Sequence, residues 1–97
     1  MKTYLYNGEQ VFLRAESYRN NGNLALVMVS LDGTIRDVIT VNLNSGLQSD
    51  SLCFIDSNNH PQAESFICEN GIGLPMGVME QSGFCQYPLF HIFLDSL

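Results

Sequence analysis

The chain reads as an α+β domain, an antiparallel sheet of about four to six strands with one short helix packed on one face. Three observations predict it. Short apolar or alternating runs fill the first half, and the hairpin dipeptides Asn7-Gly8 and Asp32-Gly33 punctuate them. One stretch, 61–71, then changes to a helical period and stops at Asn70-Gly71. With 97 residues the chain makes one domain, 1–97, with no internal repeat, low-complexity tract or boundary.

Residues 2–7 (KTYLYN) and 11–16 (VFLRAE) are β-type runs on either side of Gly8-Glu9-Gln10. In the second, Val11, Leu13 and Ala15 share one face and Phe12, Arg14 and Glu16 the other, the mark of a strand with one face covered. Residues 17–23 (SYRNNGN) form a turn cluster in which Gly22 or an Asn takes positive φ. The run 24–31 (LALVMVSL) is apolar on both faces and belongs in the middle of the sheet. The β-branched run 34–43 (TIRDVITVNL) follows, with Ile35, Asp37, Ile39, Val41 and Leu43 on one face and Asp37 near the open end. Residues 44–51 are a loop and 52–55 a short returning strand.

Pro61 suits the first turn of the helix. Asn59 is the better cap, with Gln62 three residues on as in a capping box. Ala63, Phe66, Ile67 and Asn70 line the buried stripe, Gln62, Glu64, Ser65 and Glu69 face away, and Gly71 is the C′ residue. Three turns are too short to persist alone, so the helix needs the sheet to receive Phe66 and Ile67. Residues 72–83, with three glycines and Pro75, read as a long mobile connection. The run 84–94 is apolar on both faces and closes the domain as a strand; Pro88 marks it as an edge or a bulge. An apolar edge at 87–93, presenting Tyr87, Phe90, His91 and Phe93, predicts a partner or homodimer surface.

Composition narrows the functions. Four Lys and Arg against ten acids give a formal charge of −6, and Lys2, Arg14, Arg19 and Arg36 are too scattered for a phosphate-binding stripe, so direct nucleic-acid binding is not expected. An acidic surface is steered instead toward a basic protein. Asp50, Asp56, Glu64 and Glu69 are the candidate acidic patch, and Met76 and Met79 make the glycine-rich segment an adaptable apolar surface. Three cysteines without a CxxC pair, no signal-peptide pattern and no long apolar run predict a cytosolic protein with reduced thiols and no membrane span.

Cys53, Cys68, Cys85, His60 and His91 lack paired metal spacing and read as packed side chains, so neither metal nor cofactor is expected. A thiol nucleophile built from Cys85 or Cys68 with His91 or His60 is the weakest of three readings, since nothing supplies an orienting group or oxyanion site. The glycines of 71–77 do not make a phosphate loop, because they follow a helix and lack the Lys-Ser/Thr step.

At TVNL (40–43), SNNHPQAESFICENGIG (57–73) and QSGFCQYPLFHIF (81–93) the chain resembles a group of small uncharacterised proteins carried on conjugative transposons and phages of gut bacteria. The resemblance covers about half the chain and implies no catalytic residues and no fold. It implies a mobile-element origin. Among small acidic proteins of that origin, inhibitors of host defence, anti-CRISPR or anti-restriction, are a recurrent class. The leading expectation is therefore a non-enzymatic, protein-binding inhibitor of a basic, nucleic-acid-binding effector. The second is a homodimeric accessory or structural module of a mobile element.

Overall fold

The fold comes from a computed structural model that describes residues 2–43, 46–47 and 49–97. Residues 44, 45 and 48 of the expected 44–51 loop lie outside the described residues. The strands are β1 (Tyr4–Tyr6), β2 (Glu9–Ser17), β3 (Leu24–Ser30), β4 (Ile35–Val38), β5 (Thr40–Val41), β6 (Leu52–Ile55), β7 (Gly73–Ser82) and β8 (Cys85–Ile92). The helix α1 (Ala63–Glu69) lies between β6 and β7. All pairings are antiparallel, in two sheets of order β1-β2-β3-β4 and β5-β6-β8-β7. The architecture is α+β, as the periodicities imply.

The first sheet follows the sequence closely. Asn7 and Gly8 both take positive φ, the requirement of a two-residue turn that matches strand twist. β3 sits in the middle and is buried along its whole length. The run 34–43 departs from a single strand in two ways. A bulge lets Arg36 fall out of register, so Ile35 pairs with Val29 and Asp37 with Met28. Ile35 is thereby moved to the outer face and is 56% exposed. The strand then changes sheets at Ile39, whose amide donates to the Leu26 carbonyl of β3 (3.1 Å) and whose carbonyl accepts from the Asp56 amide after β6 (3.0 Å). That one buried residue is the corner that joins the sheets.

The helix closes the open side of this bent structure. Phe66 meets Tyr4 and Tyr6 edge-on, at ring-centroid distances of 6.0 and 4.9 Å. Ala63, Phe66 and Ile67 join side chains of both sheets, among them Leu26, Ile39, Ile55, Phe90 and Ile92, in one core. The Tyr4 hydroxyl donates to the Ser96 carbonyl at 2.8 Å and ties the first strand to the last turn. The helix stops as expected. Gly71 adopts φ +66°, its amide reaches the Cys68 carbonyl, and the Ile72 amide reaches the Ile67 carbonyl, a full Schellman closure.

Three expectations need correction. The capping box does not form: Asn59 donates through its side chain to Asp56 (3.0 Å), and α1 starts after Gln62 with no side-chain cap. Glu64 is held instead by the Ser57 hydroxyl at 2.7 Å. Residues 72–83 are not a loop, because β7 occupies Gly73–Ser82. Finally, 87–93 is not an edge strand: β8 lies between β6 and β7, β7 is the outer strand on that side, and only Tyr87 and Pro88 extend past β6. Pro88 is tolerated there because Ile92, of the same parity, sends its amide to Ser51 on the β6 side, and pairing with β6 ends at Leu89. The missing Pro88 donor therefore faces no acceptor in the ladder.

Candidate functional site: an apolar hairpin on the acidic half

Beyond the core, β7 and β8 continue as an arm. Ser82 pairs with Cys85 across Gly83 and Phe84, and Gly83 at φ +62° supplies the first position of a two-residue hairpin turn. Near the body a register shift between Pro75 and Met79, with Gly77 at φ +77°, bends the outer strand. Across the shift four steps of β7 oppose two of β8, so the strand keeps its parity, and most of β7 lies in water. Leu74, Met76, Val78 and Met79 are each roughly half exposed, and Phe84 at the tip is 106% exposed. A fully exposed phenylalanine adds nothing to the core and lowers solubility.

Charge is divided between the two sheets. Residues 1–38 hold Lys2, Arg14, Arg19 and Arg36 with Glu9, Glu16, Asp32 and Asp37, a balance of zero. In that half Arg14 pairs with Glu16, and Arg36 with Glu9 at 3.0 Å. Residues 39–97 hold Asp50, Asp56, Glu64, Glu69, Glu80 and Asp95 and no Lys or Arg, so the whole formal charge of −6 lies on the segment that builds the second sheet, the helix and their connections. Sequence reasoning missed this because the carboxylates are spaced evenly along the chain. The uneven quantity is the bases.

The expected site residues fall in several places. Ser57, next to Asp56 in the loop before α1, holds Glu64 of the helix's first turn, and His60 of the same loop approaches Asp37 at 3.3 Å. Asp56 also reaches the arm. It helps raise the Tyr87 phenol above its ordinary range, after partial desolvation and the nearby Cys85 thiol, and Tyr87 stands opposite Glu80 in the ladder. Asp50 lies at the other end of β6 from Asp56, and Glu69 at the other end of α1 from Glu64, so those two are apart from the cluster. Met76 and Met79 are exposed on the arm. Phe90 must be withdrawn as a contact residue, because it is 0% exposed in the core. His91 and Phe93 are half-buried, their rings edge-to-face at 5.4 Å.

The chemistry available elsewhere is sparse. His60 faces Asp37, and His91 Nδ1 meets the Ser51 hydroxyl at 3.2 Å, so both imidazoles meet oxygen groups. Asp95 lines the same cleft as Ser51 and His91, with no hydrogen bond to the imidazole among the described residues. Cys53 is buried, its thiol pushed up to about 12 by desolvation, which keeps it protonated and unreactive. Among the described residues no three His, Cys, Asp or Glu side chains converge as a metal site, and no helix is long and apolar enough to cross a membrane.

A small α+β fold carrying an apolar arm on an acidic half defines a class by shape and charge. By sequence, the model of a domain of unknown function, DUF4313, matches residues 12–97, and the chain belongs to that family. No curated protein and no solved structure matches it.

Proposed function

We propose that this protein acts by binding another protein, without catalysing a reaction, and that the surface it meets is basic. The observation that carries this reading is the coincidence of the apolar arm with the half that holds all the net charge. Apolar contact supplies affinity, while uncompensated carboxylates supply steering and select for a cationic surface. Basic grooves of that kind belong to proteins that hold nucleic acid. The resemblance to proteins of transposons and phages then points to a defence nuclease, such as a CRISPR effector, whose groove the protein would occupy as an inhibitor.

The test is a DNA-cleavage assay with purified, guide-loaded CRISPR effectors of gut bacteria. Stoichiometric protein is expected to suppress cleavage by at least one effector near ~0.1 M salt, and the block is expected to weaken near ~0.5 M salt. Cleavage unaffected across the panel, with no salt-sensitive complex formed, would remove the reading. The alternative, a homodimeric accessory module, draws on the free edge of β7, through which two copies would pair. Sedimentation equilibrium separates the two: a dimer that persists at low salt, where paired acidic halves repel most, belongs to the alternative.

A further inference from the structure

We propose that the distal half of the β7–β8 arm accepts a strand: the outer edge of residues 79–82 pairs, backbone to backbone, with an extended Lys- or Arg-bearing segment of the partner, and Phe84 enters an apolar pocket beside it. This rests on the protein-binding reading and gives it a mode.

The ladder fixes which groups are offered. The tight turn at Gly83-Phe84 makes Ser82 and Cys85 a mutually bonded pair, so Glu80 faces Tyr87 in the same way, while Met79 and Gln81 direct N–H and C=O outward. Nearer the body the edge is closed to a visitor. The Phe93 amide bonds the Ile72 carbonyl, which by alternation turns Pro75 outward, and proline has no donor. The bulge at Gly77 then bends the strand away from regular pairing.

Natural edges are blunted by lysine, proline, bulges or shortness. The proximal half of β7 has two of these devices, and the other edge strands are short: β1 has three residues, β4 four with a bulge, and β5 two. Residues 79–82 (MEQS) have none of them, and their single charge is acidic. An unguarded edge between a half-exposed Met79 and a fully exposed Phe84 is a place for a strand to be added.

Charge decides the occupant. A second copy would bring a half of formal charge −6, with no Lys or Arg in residues 39–97, against its own image. A segment with lysine or arginine on one face meets the same carboxylates with the opposite sign.

The experiment titrates a ten-residue peptide alternating valine and lysine into the ¹⁵N-labelled full chain and reads amide exchange residue by residue. A valine–glutamate peptide of equal length is the control. The basic peptide is expected to slow exchange at Met79 and Gln81 about tenfold or more and leave β2 and β3 unchanged; the acidic peptide is expected to do nothing. Gln81→Pro deletes an outward donor without touching the ladder to β8. That variant is expected to weaken peptide binding about tenfold with the melting temperature unchanged. Unchanged exchange at Met79 and Gln81 up to millimolar peptide, or equal protection by both peptides, overturns the strand-accepting arm. If those amides stay unprotected while the salt-sensitive block of a nuclease persists, strand pairing fails and the inhibitor reading stands. If they are protected and no protein target is blocked, the reverse holds.

Discussion

Gly73 shows how narrow the tolerance is at one residue. A Cβ there would lie 2.3 Å from the His91 carbonyl oxygen and 2.9 Å from Ile92 Cδ1, and a backbone oxygen cannot swing aside. Gly73→Ala is therefore expected to cost about 1–3 kcal/mol in urea unfolding, and an unchanged midpoint would show that the β7–β8 spacing is looser than described. Cys53 makes a second prediction. Burial raises its thiol from 9.0 to about 12, so above pH 9 the unfolded chain releases a proton that the folded chain retains. Stability must fall as pH rises from 9 to 12, by about 1.4 kcal/mol per unit. Tyr4 and Tyr6, both raised first by burial, add to the loss at the alkaline end. Alkylation at pH 8 should mark the exposed Cys68 first and Cys53 only after unfolding; early labelling of Cys53 would contradict its burial.

Among the elements, α1 has only seven residues and no side-chain cap, so its order depends on what it covers. Phe66→Ala removes the ring that Tyr4 and Tyr6 enclose and should destabilise by about 3–5 kcal/mol, read as a lowered denaturation midpoint with loss of helical signal. Most of these elements were legible in the residues. Asn7-Gly8 and Asn70-Gly71 announce backbone conformations that few other pairs adopt, and the unbroken apolar run at 24–31 leaves only a central position. β7 was not legible, for a physical reason. A strand is recognised from alternation imposed by one covered face, and the part of β7 around Val78 and Met79 has neither face well covered and a bulge that interrupts its pairing. A one-residue bulge at Arg36 likewise turned Ile35 outward against its pattern. The error about 87–93 follows from the one about β7. Without a neighbour on that side, a strand containing Pro88 reads as an edge, and the partner surface was placed one strand inward of where the exposed side chains lie.

At the scale of the molecule, a single core spans both sheets and the helix, with Ile39 as its corner, so the two halves fold as one body while differing in charge. The candidate site was half visible from the chain. Met76, Met79, Asp56 and Glu64 were named from composition and remain at the surface. Phe84 was missed, because an aromatic residue beside a glycine looks like the start of a buried strand until the turn places it at a tip. The division of charge matters only once residues 39–97 are seen to build one sheet and its helix.

The most direct measurement compares two triple variants in calorimetric titration against an effector whose cleavage the protein suppresses. One variant, Asp56→Asn with Glu64→Gln and Glu80→Gln, removes three of the six carboxylates of the arm's half; the other, Glu9→Gln with Glu16→Gln and Asp32→Asn, removes the same charge from the first sheet. The first is expected to lose at least tenfold in affinity and most of the salt dependence, the second to bind like the parent chain. Equal losses in both, or none in the first, would contradict the claim that the acidic half is the face that binds.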